Sequence, residues 1–271
     1  MPNLPLFQVD AFADRLFAGN PAAVCLVETP LPDSVMQAIA AENNLSETAF
    51  IDIGRGSNAE VLGLRWFTPT VEVELCGHAT LASGFVVLTE LAPARAKVSF
   101  RTRSGLLSVE RGQEGEMLLD LPASPPQAVD ADAKGRIGRA IGVEPRDVVL
   151  GKSAYFAALE SAAAVRAVTP DLGAVAAFGT SVCVTATGSD ESDPVDFVSR
   201  FFAPAHGVPE DPVTGSAHCT LTPYWAARLD KQRLRARQVS RRIGELSCTL
   251  DGERVRLGGA CRLVITGTFR A

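Results

Sequence analysis

Long apolar runs, a basic excess and paired cysteines are all missing from this 271-residue chain, and each absence removes a class of protein. No stretch approaches the roughly 18 apolar residues that a membrane-spanning helix needs. Lys and Arg number 26 against 31 Asp and Glu, a formal net charge of −5, so nothing draws the chain to nucleic acid or to an anionic membrane. Six cysteines are too few for a disulfide scaffold at this length, and none forms a C-x-x-C pair. They read as reduced, buried, small apolar residues. Histidine is scarce too, with three in all. Cys76 and His78 lie two apart and His218 and Cys219 are adjacent, neither a usual ligand spacing, so no metal is expected. The start, Met1-Pro2-Asn3-Leu4-Pro5, lacks a basic stretch leading into an apolar core, which points away from a secretory signal and towards the cytoplasm. What is present, 46% hydrophobic and 21% charged residues, is the composition of a folded enzyme.

The most informative feature is a repeat. Arg65-Trp66-Phe67-Thr68-Pro69 leads into Cys76-Gly77-His78-Ala79-Thr80, and Arg200-Phe201-Phe202-Ala203-Pro204 leads into Thr214-Gly215-Ser216-Ala217-His218. Each copy reads as an aromatic strand ending at a proline, a loop, then a glycine opening a helix. The copies lie 135 positions apart, half the chain, which predicts two related domains. The linker Leu121-Pro122-Ala123-Ser124-Pro125-Pro126 places the boundary, giving domains 1–121 and 122–261 with a final strand, 262–271, that can return to the first.

Within the first domain the pattern predicts strands at Leu6–Ala11, Ala22–Val27, Thr48–Ile53 and Leu62–Phe67. A helix capped by Asp33 runs to about Glu42, and another runs from Gly77 to Leu91. Strands with turns fill Val98–Leu121. In the second domain the strands fall near Ala154–Leu159, at Ser181–Ala186 and after Arg200. Thr169-Pro170-Asp171 opens a helix with Pro in a favoured early position, Gly215 opens another, and Asp251-Gly252 marks a hairpin turn. The basic run from Arg228 to Arg242 lacks interleaved aromatics and reads as a solvated face.

Both glycine-led helix starts offer unpaired N–H groups and a partial positive charge, which can hold a carboxylate without a basic side chain. Close helix packing explains the same residues equally well. Glu47 enters an apolar strand between Leu45 and Ala49-Phe50, where partial desolvation suits a carboxylate to proton transfer near neutral pH. On the residues alone, a capping or surface-paired glutamate is the commoner case. Pro209 and Pro212 stiffen the approach to the second helix and hold Asp211 beside its start, as a substrate partner or simply as a cap. His78 can orient a carboxylate, shuttle a proton or satisfy a helix start. His206 and His218 have weaker claims.

These stretches, with Phe17-Ala18-Gly19-Asn20-Pro21-Ala22-Ala23-Val24 and Asn44-Leu45-Ser46-Glu47-Thr48-Ala49-Phe50, resemble the PhzF family of phenazine biosynthesis-like isomerases, relatives of diaminopimelate epimerase. They cover most of the chain in the family's order. The resemblance implies an α+β fold of two pseudo-symmetric domains, each a curved, mostly antiparallel sheet or barrel around a central helix, with the site in the cleft between. It implies Glu47 as the acid/base, flanked by His78 and Asp211. Substrate binding then falls to Asn20, Cys76, Gly77, Gly215 and Ser216. No cofactor is implied, the ligand is a small carboxylate, and the chain is a homodimer.

Two departures bear on the chemistry. Related epimerases face two cysteines across the site; Cys76 matches the first, whereas Pro212-Val213 precede Thr214-Gly215 and Cys219 lies a turn into the helix. In Gln238-Val239-Ser240-Arg241-Arg242-Ile243-Gly244, isoleucine replaces one of two glycines, which alters the expected loop. The leading reading is a cofactor-independent isomerase moving a proton between carbons. A racemase using Cys76 and a non-catalytic small-acid-binding protein are the alternatives.

Overall fold

The computed structural model describes residues 3–56, 59–188 and 195–270. The first stretch of chain forms β1 (Asn3–Ala11), β2 (Asn20–Val27), α1 (Asp33–Asn43), β3 (Glu47–Asp52), β4 (Val61–Phe67), β5 (Glu72–Val73), α2 (Gly77–Val86), β6 (Lys97–Thr102), β7 (Gly105–Arg111) and β8 (Met117–Pro122). The second forms β9 (Gln127–Ala128), α3 (Ala131–Ile141), β10 (Asp147–Leu150), β11 (Ala154–Ala158), α4 (Ala162–Ala167), α5 (Leu172–Ala176), β12 (Ser181–Thr187) and β13 (Phe197–Ala203). It continues through β14 (Val208–Asp211), α6 (Gly215–Leu229), β15 (Arg233–Gln238), β16 (Gly244–Asp251) and β17 (Arg254–Gly259), and β18 (Cys261–Arg270) closes the chain. Two units result, Met1–Asp120 with Gly258–Ala271, and Leu121–Leu257, both mixed α+β.

In the first unit β18 returns antiparallel to β1, from Asn3 opposite Arg270 to Ala11 opposite Cys261. β1 pairs antiparallel with β2, β2 runs parallel to β3, and β3 pairs antiparallel with β4. A parallel pair buried on both faces needs apolar residues on both. β2 meets this with Ala22, Val24 and Leu26 on one side and Ala23, Cys25 and Val27 on the other. Met36, Ile39 and Ala40 of α1 pack onto Cys25, Val27 and Phe50. α2 packs against β1, β2, β3 and β7, and every residue of it but Phe85 is buried. A helix enclosed all round must be apolar all round or satisfy its polar groups internally. Ser83 Oγ therefore donates to Ala79 O at 2.7 Å, and Thr80 Oγ1 to Cys76 O at 2.5 Å.

The second unit repeats the strand logic. β11 runs parallel to β12 with Ala154 opposite Ser181, as β2 runs parallel to β3 with Ala22 opposite Glu47. β12 pairs antiparallel with β13, Val182 opposite Phe202, as Thr48 stands opposite Phe67. One core gathers Ile137 and Ile141 of α3, Val165 of α4, and Val182, Val184 and Phe202 of the strands. On β15 the arginines alternate with buried Leu234, Ala236 and Gln238; Arg233 and Arg235 are exposed, whereas Arg237 is largely covered and paired with Glu245.

Several elements differ from the expectations. Asp33 is not the cap of α1: Pro32 holds that place, and the Asp33 carboxylate accepts from Arg65 Nη1 at 2.8 Å. The helix begun at Gly77 changes at Val87 to a wide π turn through Leu91, and the Arg111 guanidinium donates to Leu88 O there. Leu121-Pro122 belongs to β8 rather than to the linker. Pro170 precedes the cap of α5 instead of entering its first turn; Asp171 is the cap, accepting from Ala174 N. α3 and α4 carry no strong signal in sequence. α3 is rich in glycine and charge, and forms because Ile137, Ala140 and Ile141 are buried and Asp130 caps it through Ala133 N at 2.7 Å.

Candidate functional site

Local structure first brings Asn20 into place. Gly19 has φ +61°, and a Cβ there would fall 2.2 Å from Ala11 O, so only glycine fits between the β1–β2 loop and the start of β2. The buried Asp10 carboxylate holds the same loop by accepting Phe17 N–H at 2.8 Å. Glu47 is delivered by the end of α1. Asn44 takes the left-handed conformation (φ 49°) that asparagine tolerates, its N–H donates to Ala40 O, and the chain turns into β3 at Glu47. Cys76 is the extended residue before α2, and Gly77 and His78 form that helix's first turn.

These elements bring four side chains of the first unit together. His78 Nε2 lies 3.2 Å from Glu47 Oε2, an oblique contact at ion-pair distance. His78 Nδ1 lies 3.2 Å from Asn20 Nδ2 and 3.6 Å from Cys76 Sγ. The ring is buried and the Glu47 side chain is 19% exposed. Burial pushes the His78 pKa down to about 3, so the imidazole is neutral near pH 7 and carries one proton. A carboxylate oxygen beside Nε2 favours the proton there, which leaves Nδ1 to accept from the Asn20 amide and the Cys76 thiol. Glu47, Cys76 and His78 also offer donor atoms within 4.8 Å of one another, with His78 Nδ1 already facing the Asn20 amide.

The start of α2 lies beside these four side chains. Its cap residue makes no side-chain cap hydrogen bond and its first turn holds no acidic residue. The first-turn N–H groups of Gly77 and His78 lie next to the Glu47–His78 pair, and a helix start of this kind can take an anion.

The second unit is built alike but furnished differently. α6 also starts after an extended residue, Thr214, with no side-chain cap bond and no acid in its first turn. Asp211 lies at the end of β14, where its Oδ2 accepts from Thr214 Oγ1 at 2.5 Å, so it does sit beside the helix start. Register equates Glu47 with Ser181 and His78 with Ser216, so the paired acid and imidazole of the first unit are serines in the second. The residue matching Cys76 is Thr214, and Cys219 is buried with its thiol directed at Gly215 O, burial pushing its pKa up to about 12. His218 is enclosed, donates Nδ1–H to Thr214 O at 2.8 Å, and is pushed by burial down to about 4. His206 is exposed on a short turn.

A duplicated ion pair braces both copies. Arg65 grips Glu72 at 2.7 and 2.8 Å with its guanidinium over Phe67, and Arg200 grips Glu210 at 2.8 and 3.0 Å with its guanidinium over Phe202. Bidentate geometry fixes the loop between the strand and the helix start. Sequence reasoning missed Gln238 and Ser240. Gln238 Oε1 accepts Thr214 N–H at 2.9 Å and Nε2 donates to Asp211 O at 2.7 Å, while Ser240 Oγ donates to Pro212 O at 2.9 Å. The available signal was a glutamine in the buried phase of an alternating strand. Ile243 takes the left-handed conformation, φ 56°.

Known proteins resemble this chain over most of its length. The family model described as PhzC-PhzF, phenazine biosynthesis-like protein, matches residues 9–267. A Pseudomonas aeruginosa protein described as an uncharacterized isomerase is 48% identical over 268 residues, covering 98% of both chains. A Halalkalibacterium halodurans protein, also described as an uncharacterized isomerase, is 40% identical over 268 residues with 98% coverage of each. The crystal structure of a PhzF-family phenazine biosynthesis protein from Enterococcus faecalis superposes with a TM-score of 0.91 at 42% identity, covering all of both chains.

Proposed function

We propose, from the premise that this chain belongs to the PhzC-PhzF family of phenazine biosynthesis-like proteins and is an isomerase, that it moves a proton between carbons of a small carboxylic acid with Glu47 as acid and base. The observation that carries the reading is the 3.2 Å contact of Glu47 with a buried, neutral His78 beside an uncapped helix start. The substrate class is an amino or hydroxy acid whose reacting C–H is conjugated with its carboxylate.

In this reading His78 Nε2–H fixes one oxygen of Glu47, and the other takes the proton from the substrate carbon. The electron pair left behind delocalises towards the substrate carboxylate, where the first-turn N–H groups of Gly77 and His78 stabilise the developing charge. The protonated Glu47 then returns the proton to a second carbon. One group serves both transfers, in keeping with the serines that stand at the matching positions of the second unit. Asp211, Gly215 and Ser216 keep the roles that the family resemblance assigns them.

Proton exchange in deuterated water tests the proposal, using a panel of small amino, hydroxy and dihydroaromatic acids followed by NMR. Deuterium enters a carbon position with the wild type, and Glu47→Gln slows this by roughly 10²–10⁴-fold. Unchanged exchange in Glu47→Gln overturns the assignment. A second reading, a racemase working through the thiol, is favoured by the 3.6 Å approach of Cys76 Sγ to His78. It requires that Cys76→Ser, not Glu47→Gln, be the variant that stops exchange.

A further inference from the structure

The first unit also holds a cavity of about 280 Å³ between β2, β3, β4, β6 and the loop before α1. It is separate from the Glu47 site. Side chains alternate along a strand, so Phe50 and Asp52 face one side of β3 while Glu47, an odd number of residues away, faces the other. The cavity takes Phe50 and Asp52, and the His78 helix takes Glu47.

Its floor is apolar, made by Val27, Leu31, Met36 and Phe50. Its rim carries a charged row. Asp52 stands opposite Gly63, and Gly63 stands opposite Arg101, so a carboxylate, a glycine and a guanidinium lie side by side on three neighbouring strands. The two charged residues are two strand spacings apart, about 10 Å between Cα atoms, with the glycine gap between. A Cβ at Gly63 would meet Asp52 Cβ at 3.0 Å and begin to fill that gap. Glycine inside a strand often marks a close approach, and here the Asp52 carboxylate leans over it, Oδ2 3.5 Å from where a Cβ would stand. Arg65 also lines the cavity but is engaged by Glu72 and Asp33. Among the described residues Arg101 makes no ion pair or side-chain hydrogen bond.

We propose that this cavity binds an α-amino acid with an aliphatic side chain, its carboxylate on Arg101, its ammonium on Asp52, its backbone over Gly63 and its side chain on the apolar floor. A carboxylate and a guanidinium flanking an open slot complement a zwitterion, and a lone anion would have to tolerate Asp52. The volume sits just below the usual range for ligand pockets, which suits a molecule of leucine size.

The test is titration of the intact chain with L-leucine, read from the amide ¹H–¹⁵N resonances of Asp52, Gly63 and Arg101. Saturable shifts there with a dissociation constant of about 1 mM support the site, an ordinary affinity for so few atoms. Leucinamide, which lacks the carboxylate, and N-acetyl-leucine, which lacks the ammonium, each bind about 10-fold or more weakly. Arg101→Gln, at an exposed position that cannot unfold the chain, weakens leucine about 10-fold and leaves leucinamide unchanged. Gly63→Ala closes the slot and abolishes the shifts. No leucine-dependent shift at these residues by about 50 mM overturns the proposal. So does equal binding of leucine and leucinamide, or leucine binding unchanged by Arg101→Gln.

Discussion

Asn20 reaches His78 across 58 positions of sequence, its Nδ2 3.2 Å from the ring's Nδ1, and both side chains are buried. A neutral imidazole has one proton to place. With Glu47 Oε2 at 3.2 Å from Nε2, that proton belongs on Nε2, and the Asn20 amide supplies the donor that Nδ1 then needs. Asn20 thus sets the orientation and tautomer of His78, whose Nε2 faces Glu47 Oε2 obliquely at ion-pair distance.

Removing that donor should alter the tautomer before anything else. Asn20→Ala is expected to lower kcat about 10-fold or more while KM changes little. The ¹⁵N shifts of the His78 ring should lose the pattern of a single Nε2–H tautomer. A folded Asn20→Ala protein with the wild-type ring pattern would remove Asn20 from this role.

Two buried histidines make stability fall in acid. The folded-state pKa values of His78 and His218, about 3 and about 4, lie below the ordinary value near 6.5. Between those limits the unfolded chain binds protons that the folded chain refuses, so stability is fully present above about pH 6.5 and declines as pH falls. Each histidine contributes a loss of about 2 kcal/mol between pH 7 and 5. Urea unfolding at the two pH values measures it. His218→Thr, which mimics the matching Thr80, should be less stable at pH 7 yet lose less on acidification. An equal loss would remove His218 from the account.

Ile243 is β-branched, has φ 56° and is 36% exposed, so its backbone carries strain that little burial offsets. Ile243→Gly relieves roughly 1–2 kcal/mol of strain against an unfolded-chain entropy cost of about 0.5–1 kcal/mol. A net gain of about 0.5–1 kcal/mol should appear as a raised Tm. A lowered Tm would mean that the isoleucine side chain stabilises more than its backbone costs.

The duplicated arginines should not tolerate lysine equally. Arg200 holds Glu210 bidentately and also donates to Val168 O at 2.7 Å, whereas Arg65 divides its guanidinium between Glu72 and the exposed Asp33. Lysine cannot reproduce a planar fork. Arg200→Lys is expected to cost about 1–3 kcal/mol by urea unfolding, and Arg65→Lys less, because Arg103 still pairs with Glu72. The reverse order would mean that Val168 O contributes little.

Much of the fold could be read along the chain because its signals are local. The strands around Val24, Phe50, Phe67 and Val184 are apolar runs bounded by breakers, and the repeat of an aromatic strand before a glycine-led helix survives in both halves. α3 could not be read this way, since its glycines oppose a helix, and burial of Ile137 and Ile141 together with the Asp130 cap overrides them.

The residues gathered around His78 were likewise visible as types in motifs, Asn20, Glu47, Cys76 and His78 itself, and so were Asp211, Gly215 and Ser216 at the start of the second unit's helix. The sequence by itself therefore determined the duplicated architecture, the family and the chemical groups available, because turns, alternation and helix starts are written into neighbouring residues. Only the tertiary structure decided that His78 is buried and neutral, that Asn20 and Glu47 take its opposite nitrogens, and that Asp52, Gly63 and Arg101 form one row. Burial, ring orientation and strand register depend on contacts between residues distant in the chain, and no local pattern records them.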